Sequence, residues 1–318
     1  MQERTPRHRE GQVKKFMSFS RKVKEELGGQ ISRARHCQIA ELAALFSCCG
    51  HVVSQGERNF FVKFTTENLT VAKKYSILIK KVFHFDIEMS VRGHQYLIYI
   101  LNPEDALIFL QALKILEGKA LVHELVIQRN CCKRAFIRGI FLACGSVTDP
   151  ERGYHLEMAV GTIGKAEELV QILADFQIPA KVVERKKNYI VYIKEGALIV
   201  DLLNVMEAHV ALMEFENVRI LKEMRNSVNR QVNCETANIK KTVTAATRQI
   251  EDIRYVKETI GFGTLPKGLA EIAKLRLEYA EVPLKELGEM LDPPIGKSGV
   301  NHRLRKLSGI AEDLRQRQ

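Results

Sequence analysis

Between Pro293 and Ala311 the sequence holds no acidic residue and four fixed cations: Lys297, Arg303, Arg305 and Lys306. Asn301, His302 and Arg305 follow one another at i, i+1 and i+4, so a helix would carry them on one side. Asn suits adenine edges and Arg guanine edges in a DNA major groove, which makes these three the candidate base readers. Lys297, Ser298, Arg303 and Lys306 would sit at the helix start and its flanks, where phosphates are met. Other chemistry is poorly served. Cys48/Cys49 and Cys131/Cys132 are adjacent pairs without a C-x₂-C spacing, and they read as core thiols. His51, His84, His94, His123, His155 and His209 show no H-E-x-x-H pattern. Gly296-Lys297-Ser298 ends like a phosphate-binding loop, but Leu291 stands where its first glycine belongs. No metal, no cofactor and no small-molecule ligand is expected.

The elements that must position the basic stretch are legible. Pro283 opens a short helix with Leu284, Leu287 and Leu291 inward. Asp292-Pro293-Pro294-Ile295-Gly296 turns the chain. Ser298 is the expected N-cap of a final helix with Val300, Leu304 and Leu307 inward. A helix from Pro266 to about Tyr279 precedes them. The spacing predicts a helix-turn-helix over about 283–307, with its recognition helix at Ser298–Leu307.

The earlier two thirds of the chain repeat. CQIAELAALFSCCGHV from Cys37 aligns with CKRAFIRGIFLACGSV from Cys132 at an offset of 95. QYLIYI from Gln95 aligns with NYIVYI at an offset of 93. Each copy reads α-β-β-α-β-β-α. Leu42–Cys49 and Ile137–Cys144 leave almost no polar face, so both helices must be buried on all sides. Small residues at Ala44/Gly139 and Cys48/Ala143 would let them pair closely across a pseudo-two-fold axis. Lys63, Arg92, Arg185, Lys186 and Lys187 lie on or beside the strands. With Arg225 and Arg230 they are possible secondary DNA contacts, although Glu57, Glu88, Glu157 and Glu184 are interspersed.

The 318 residues carry 49 Lys+Arg against 38 Asp+Glu, a net charge of +11. A polyanion is the default partner of such a chain. Residues from Asn226 onward carry a net of only +4, so the local acid-free stretch is more informative than the total. An apolar share of 46% excludes wholesale disorder, and no apolar run approaches a bilayer span. Seven cysteines, an odd count, suit a reducing cytosol.

The two nine-residue stretches Leu42–Gly50 and Ile137–Gly145 resemble the helix motif of the LAGLIDADG homing endonucleases, and the element order matches that fold. The resemblance implies that the acidic residue before each final glycine would hold the catalytic metal. Here those positions are Cys49 and Cys144, which leaves them as lost catalytic positions, because a neutral thiol is no ligand for Mg²⁺. Glu41, Glu57, Asp149 and Glu151 stand nearby and read as solvated helix or turn residues.

With MSFSRKVKEEL from Met17, MRNSVNRQVNCETANIKKTV from Met224 and LPKGLAEIAKLRLEYAEVPLKELGEMLDPPIGKSGVNHRLRKL from Leu265, the chain resembles the WhiA family of bacterial regulators. The resemblance runs from Met17 to about Leu314. It implies an α+β fold: a duplicated αββαββα LAGLIDADG-like domain without catalysis, then an all-α helix-turn-helix domain. The expected organisation is a disordered extension at 1–16, with Met17 as the original start. The duplicated domain follows at 17–213, a linker at 214–235 and the helical domain at 236–318. The function implied is that of a cytoplasmic, nucleoid-associated regulator of transcription on double-stranded DNA, not an enzyme. It also implies roles in cell division and in chromosome segregation or sporulation. A protein partner could dock on the N-terminal domain. The competing readings are an architectural DNA binder and a metal-dependent endonuclease.

Overall fold

The computed structural model describes residues 17–54, 60–115 and 121–317. The expected extension 1–16, the turn at Gln55-Gly56-Glu57 and the approach to Leu116 lie outside the described residues. The chain divides into two compact units, with the boundary between Lys222 and Glu223.

The first unit opens with α1 (Phe19–Gly29), whose N-cap Ser18 accepts a bond from Arg21 N at 3.3 Å. Phe19, Val23 and Leu27 recur at i, i+4 and i+8 and are buried. The first copy of the repeat is then α2 (Arg35–Cys49), β1 (Gly50–Ser54), β2 (Phe60–Thr66), α3 (Leu69–Phe83), β3 (Glu88–Arg92), β4 (Gln95–Ile100) and α4 (Pro103–Ala112). The second is α5 (Asn130–Cys144), β5 (Gly145–Val147), β6 (Leu156–Val160), α6 (Ile163–Ala174), β7 (Lys181–Arg185), β8 (Asn188–Ile193) and α7 (Gly196–Val205). Both sheets are antiparallel, in the orders β1-β2-β4-β3 and β5-β6-β8-β7. Side-chain caps start α3 and α4: Asn68 Oδ1 accepts from Thr70 N at 2.9 Å, and Asn102 Oδ1 from Glu104 N at 2.8 Å.

The helices apolar all round, α2 and α5, pack on each other at the centre of the unit. Leu42–Phe46 and Ala135–Leu142 are buried throughout. Gly139 is needed there. A Cβ at that position would fall 2.6 Å from Ala44 Cβ and 2.8 Å from Glu41 O. The expected close approach at Ala44/Gly139 is therefore present.

Glu41 differs from its reading as a solvated residue. It is fully buried, 2.5 Å from Lys74 Nζ and 3.0 Å from Arg138 Nε. Arg138 also donates to Glu207 Oε2 at 2.8 Å and to Ser32 Oγ at 2.9 Å. Burial pulls the Lys74 amine below its ordinary value, with Glu41 opposing. Burial alone would lower Arg138 too, but Glu41 and Glu207 outweigh it and hold the guanidinium up. Glu41 thus bridges two buried cations, one from each copy of the repeat, with Glu207 as the second carboxylate on Arg138, and it is not free to serve a metal.

The last long element, α8 (His209–Thr259), runs for 51 residues. Its first turns belong to the first unit. Glu26 of α1 takes the free N–H groups of Val210 and Ala211 at 2.8 and 2.9 Å, a carboxylate at a helix start. Phe215 is buried against Phe19 and Tyr154. The stretch 214–235, expected as a partly helical linker, lies wholly inside α8 and contains the boundary between the two units. The physical reason is the lack of any Gly or Pro from His209 to Ile260, so nothing polar in the composition interrupts the hydrogen-bond ladder. Among the described residues no helix is long and apolar enough to cross a membrane.

Candidate nucleic-acid interface

In the second unit, the later turns of α8 are joined by α9 (Lys267–Glu278), α10 (Leu284–Glu289) and α11 (Lys297–Gln316). Ile253, Leu269, Ile272, Leu287, Leu291, Val300, Leu304 and Leu307 form one buried cluster between them. The inward set expected for α10 and α11 is thus mostly the observed core, with Leu284 only half-buried at its edge. The turn between α10 and α11 closes tightly. Ile295 N donates to Gly288 O at 3.0 Å, and a Cβ on Gly288 would meet Ile295 O at 2.1 Å. Only glycine fits this approach.

The core residues of α11 fix which side of the helix is outward. His302, Arg305 and Lys306 are exposed there, with Ser298 one turn earlier. Lys297, at the helix start, is exposed as well. Among the described residues no carboxylate pairs with Lys297, Arg305 or Lys306. Asn301 is displaced from this set. It is half-buried and lines a cavity of about 400 Å³, together with Lys297, Arg276 and Lys241, Ala245 and Gln249 of α8. Arg303 differs more. Its Nη1 donates to Gly268 O at 3.2 Å, and its guanidinium lies where a Cβ on Gly268 would approach within 3.1 Å. One of its N–H groups is thus used on α9, and the side chain is half-buried. Ser298 is not the N-cap either. Gly296 takes that position without a side-chain bond, and the helix starts at Lys297. It runs to Gln316, well past Leu307 and through Gly309, since no proline follows to stop it.

The possible secondary contacts are scattered. Strand registers put Lys63 opposite Tyr99 and Arg92 opposite Gln95, both on the face of the first sheet away from its core. In the second sheet Arg185 pairs with Asn188 on the matching face, 93 residues after Arg92. Lys186 and Lys187 form the two-residue turn that follows. The counterpart of Lys63 on β6 is the acidic Glu157, which contacts His155 at 3.1 Å, so the two faces are not equally basic. Arg225 and Arg230 are exposed on α8.

At the positions where the endonuclease motif is acidic, Cys49 and Cys144 are half-buried. Burial and the neighbouring Cys48 push the Cys49 thiol up to about 12, with Lys24 opposing. The 3.6 Å contact with Cys48, together with burial, pushes Cys144 up as well. Two protonated thiols offer no hard oxygen ligand. Asp149 and Glu151 are exposed, with Asp149 Oδ1 accepting from Glu151 N within its own turn.

The remaining thiols are the surprise. Cys131 is exposed rather than a core thiol, and it meets His36, Cys37 and Cys132 at the starts of α2 and α5. Spacing rules look for ligands close in sequence, whereas these come in two pairs 95 residues apart. The repeat offset that aligns Cys37 with Cys132 was the available signal.

Comparison with known proteins places this architecture. The family model of the WhiA N-terminal LAGLIDADG-like domain matches residues 35–115, and that of the WhiA LAGLIDADG-like domain residues 133–225. The model of the WhiA C-terminal HTH domain matches residues 228–311. A probable cell division protein WhiA of Lachnoclostridium phytofermentans is 54% identical over 313 residues, covering 94% of this chain and all of the relative. The chain belongs to the WhiA family. A probable cell division protein WhiA of Alkaliphilus oremlandii is 50% identical, covering 94% of this chain and 98% of the relative. The crystal structure of full-length WhiA from Thermatoga maritima superposes with a TM-score of 0.59 at 26% identity. That match covers 93% of this chain and 99% of the other. The WhiA fold of two LAGLIDADG-like copies and a C-terminal helix-turn-helix domain is thus the fold of this chain.

Proposed function

We propose that this WhiA protein binds double-stranded DNA through α11 and regulates transcription of genes concerned with cell division. The observation that carries the reading is the outward side of α11. His302, Arg305 and Lys306 are exposed there without an acidic partner, on a helix-turn-helix core held by Leu287, Val300 and Leu304. In this reading Arg305 and His302 meet base edges, and Asn301 flanks them at the cavity edge. Lys297, Ser298 and Lys306 meet phosphates, helped by the unfilled N–H groups at the start of α11. Arg303 supports the helix and leaves the phosphate set.

The names of the relatives support the cell-division role, and chromosome segregation or sporulation are finer forms of it. Such a protein works in the cytoplasm at the nucleoid. The N-terminal domain is non-catalytic in this reading, because Cys49 and Cys144 are held as neutral thiols and Glu41 is committed to Lys74 and Arg138. Its sheets add weak phosphate contacts through Lys63, Arg92 and Arg185, or receive a protein partner.

Genome-wide immunoprecipitation of the full chain tests the proposal. The expected result is a limited set of promoter sites sharing a motif. Uniform coverage would replace the reading by an architectural DNA binder. Nicking of plasmid with Mg²⁺ that stops on mutation of chain carboxylates would replace it by an endonuclease.

A further inference from the structure

His36 and Cys37 are the second and third residues of α2, and Cys131 and Cys132 are the second and third residues of α5. Because α2 and α5 are the matching helices of the two copies, the pseudo-two-fold axis brings equivalent helix positions to one point. The imidazole Nδ1 of His36 lies 3.2 Å from Cys132 Sγ, 3.3 Å from Cys37 Sγ and 4.0 Å from Cys131 Sγ. All four donor atoms fall within 4.8 Å of one another.

These dimensions are those of a single coordination sphere. A tetrahedral zinc site with Zn–S of about 2.3 Å and Zn–N of about 2.0–2.1 Å has edges of roughly 3.5–3.8 Å. The donors are too close to one another to span an iron–sulfur cluster, and too soft for Mg²⁺ or Ca²⁺. Cys37 and Cys132 form the buried side and Cys131 the exposed one, which leaves an entry path. Two helix N-termini converge on the cluster.

We propose that His36, Cys37, Cys131 and Cys132 bind one Zn²⁺ in a closed tetrahedral Cys₃His site that clamps the starts of the two central helices. Binding replaces the three thiol protons, which leave to solvent, and no electron is transferred. With Nδ1 on the ion, Nε2 of His36 carries the ring proton. Arg129, whose Nη1 lies 3.4 Å from Nε2, then turns away into the solvent to which it is exposed. With four protein ligands and no open position the site is structural, joining the two copies as a covalent cross-link would.

The test uses the full chain, kept reduced, stripped with a chelator and titrated with Co²⁺ and then Zn²⁺. The expected result is one equivalent of Co²⁺ with the visible bands of a tetrahedral thiolate site, displaced by Zn²⁺, and a higher Tm for the zinc-loaded chain. Cys131→Ser, at an exposed position, and His36→Gln should each weaken binding by more than the ~10–100-fold typical of losing an outer-sphere partner. Cys234→Ser should leave it unchanged. Absence of a thiolate–cobalt spectrum would overturn the proposal. So would a spectrum unaltered in Cys131→Ser, which would move the ion to Cys48, Cys49 and Cys144.

Discussion

The paired helices α2 and α5 and the terminal helix α11 use charge in opposite ways. In the pair, Glu41 and Arg138 are buried and bonded to each other and to Lys74. On α11, Arg305 and Lys306 are exposed and unpaired among the described residues, and its only inward side is apolar. A buried charge must be matched in place and holds the fold. An exposed, unmatched charge is available to a partner. The basic total of the chain does not distinguish these roles. Burial and pairing do.

Three substitutions can break or sharpen that contrast. The largest effect is expected from Glu41→Ala, which leaves Lys74 buried without a carboxylate and Arg138 with Glu207 alone. It should destabilise the first unit by about 3–5 kcal/mol in denaturant titration, while DNA affinity of the folded fraction stays unchanged. If stability fell by less than a third of that, the buried network would not be holding the helix pair. Gly288→Ala comes next, since its Cβ would press on Ile295 O. A loss of about 2–3 kcal/mol in the second unit is expected, with DNA binding falling as the turn opens. Arg303→Ala is the smallest. It should cost about 1 kcal/mol of stability through the lost bond to Gly268 O, and leave the salt dependence of DNA binding as it was. A shallower salt slope in this variant would return Arg303 to the phosphate contacts.

Much of this contrast was legible in the residues. The repeat offset, the apolar faces of α2 and α5 and the small residues at Ala44/Gly139 predict the central pair, because close packing leaves few alternatives. The inward leucines of α10 and α11 are equally plain. What was missed depends on the reach of single side chains or on meetings distant in sequence. Arg303 looks like a surface cation until its long side chain is seen lying on Gly268. Glu41 looks solvated because its partners Lys74 and Arg138 are 33 and 97 residues away. His36, Cys37, Cys131 and Cys132 converge only once the two copies are docked. The stretch 214–235 reads as a partly helical linker; it is helical throughout, because it holds no Gly or Pro, and the division between the two units falls within it.

The central claim is that the exposed side of α11 reads DNA. Its most direct test is equilibrium binding of the wild type, Arg305→Ala and Lys306→Ala to a selected site and to a scrambled duplex, over a range of salt. Arg305→Ala should lose about 1–3 kcal/mol on the selected site and far less on the scrambled one. Lys306→Ala should weaken both alike and lower the salt slope by about 1. Undiminished affinity of both variants for the selected site would contradict the account.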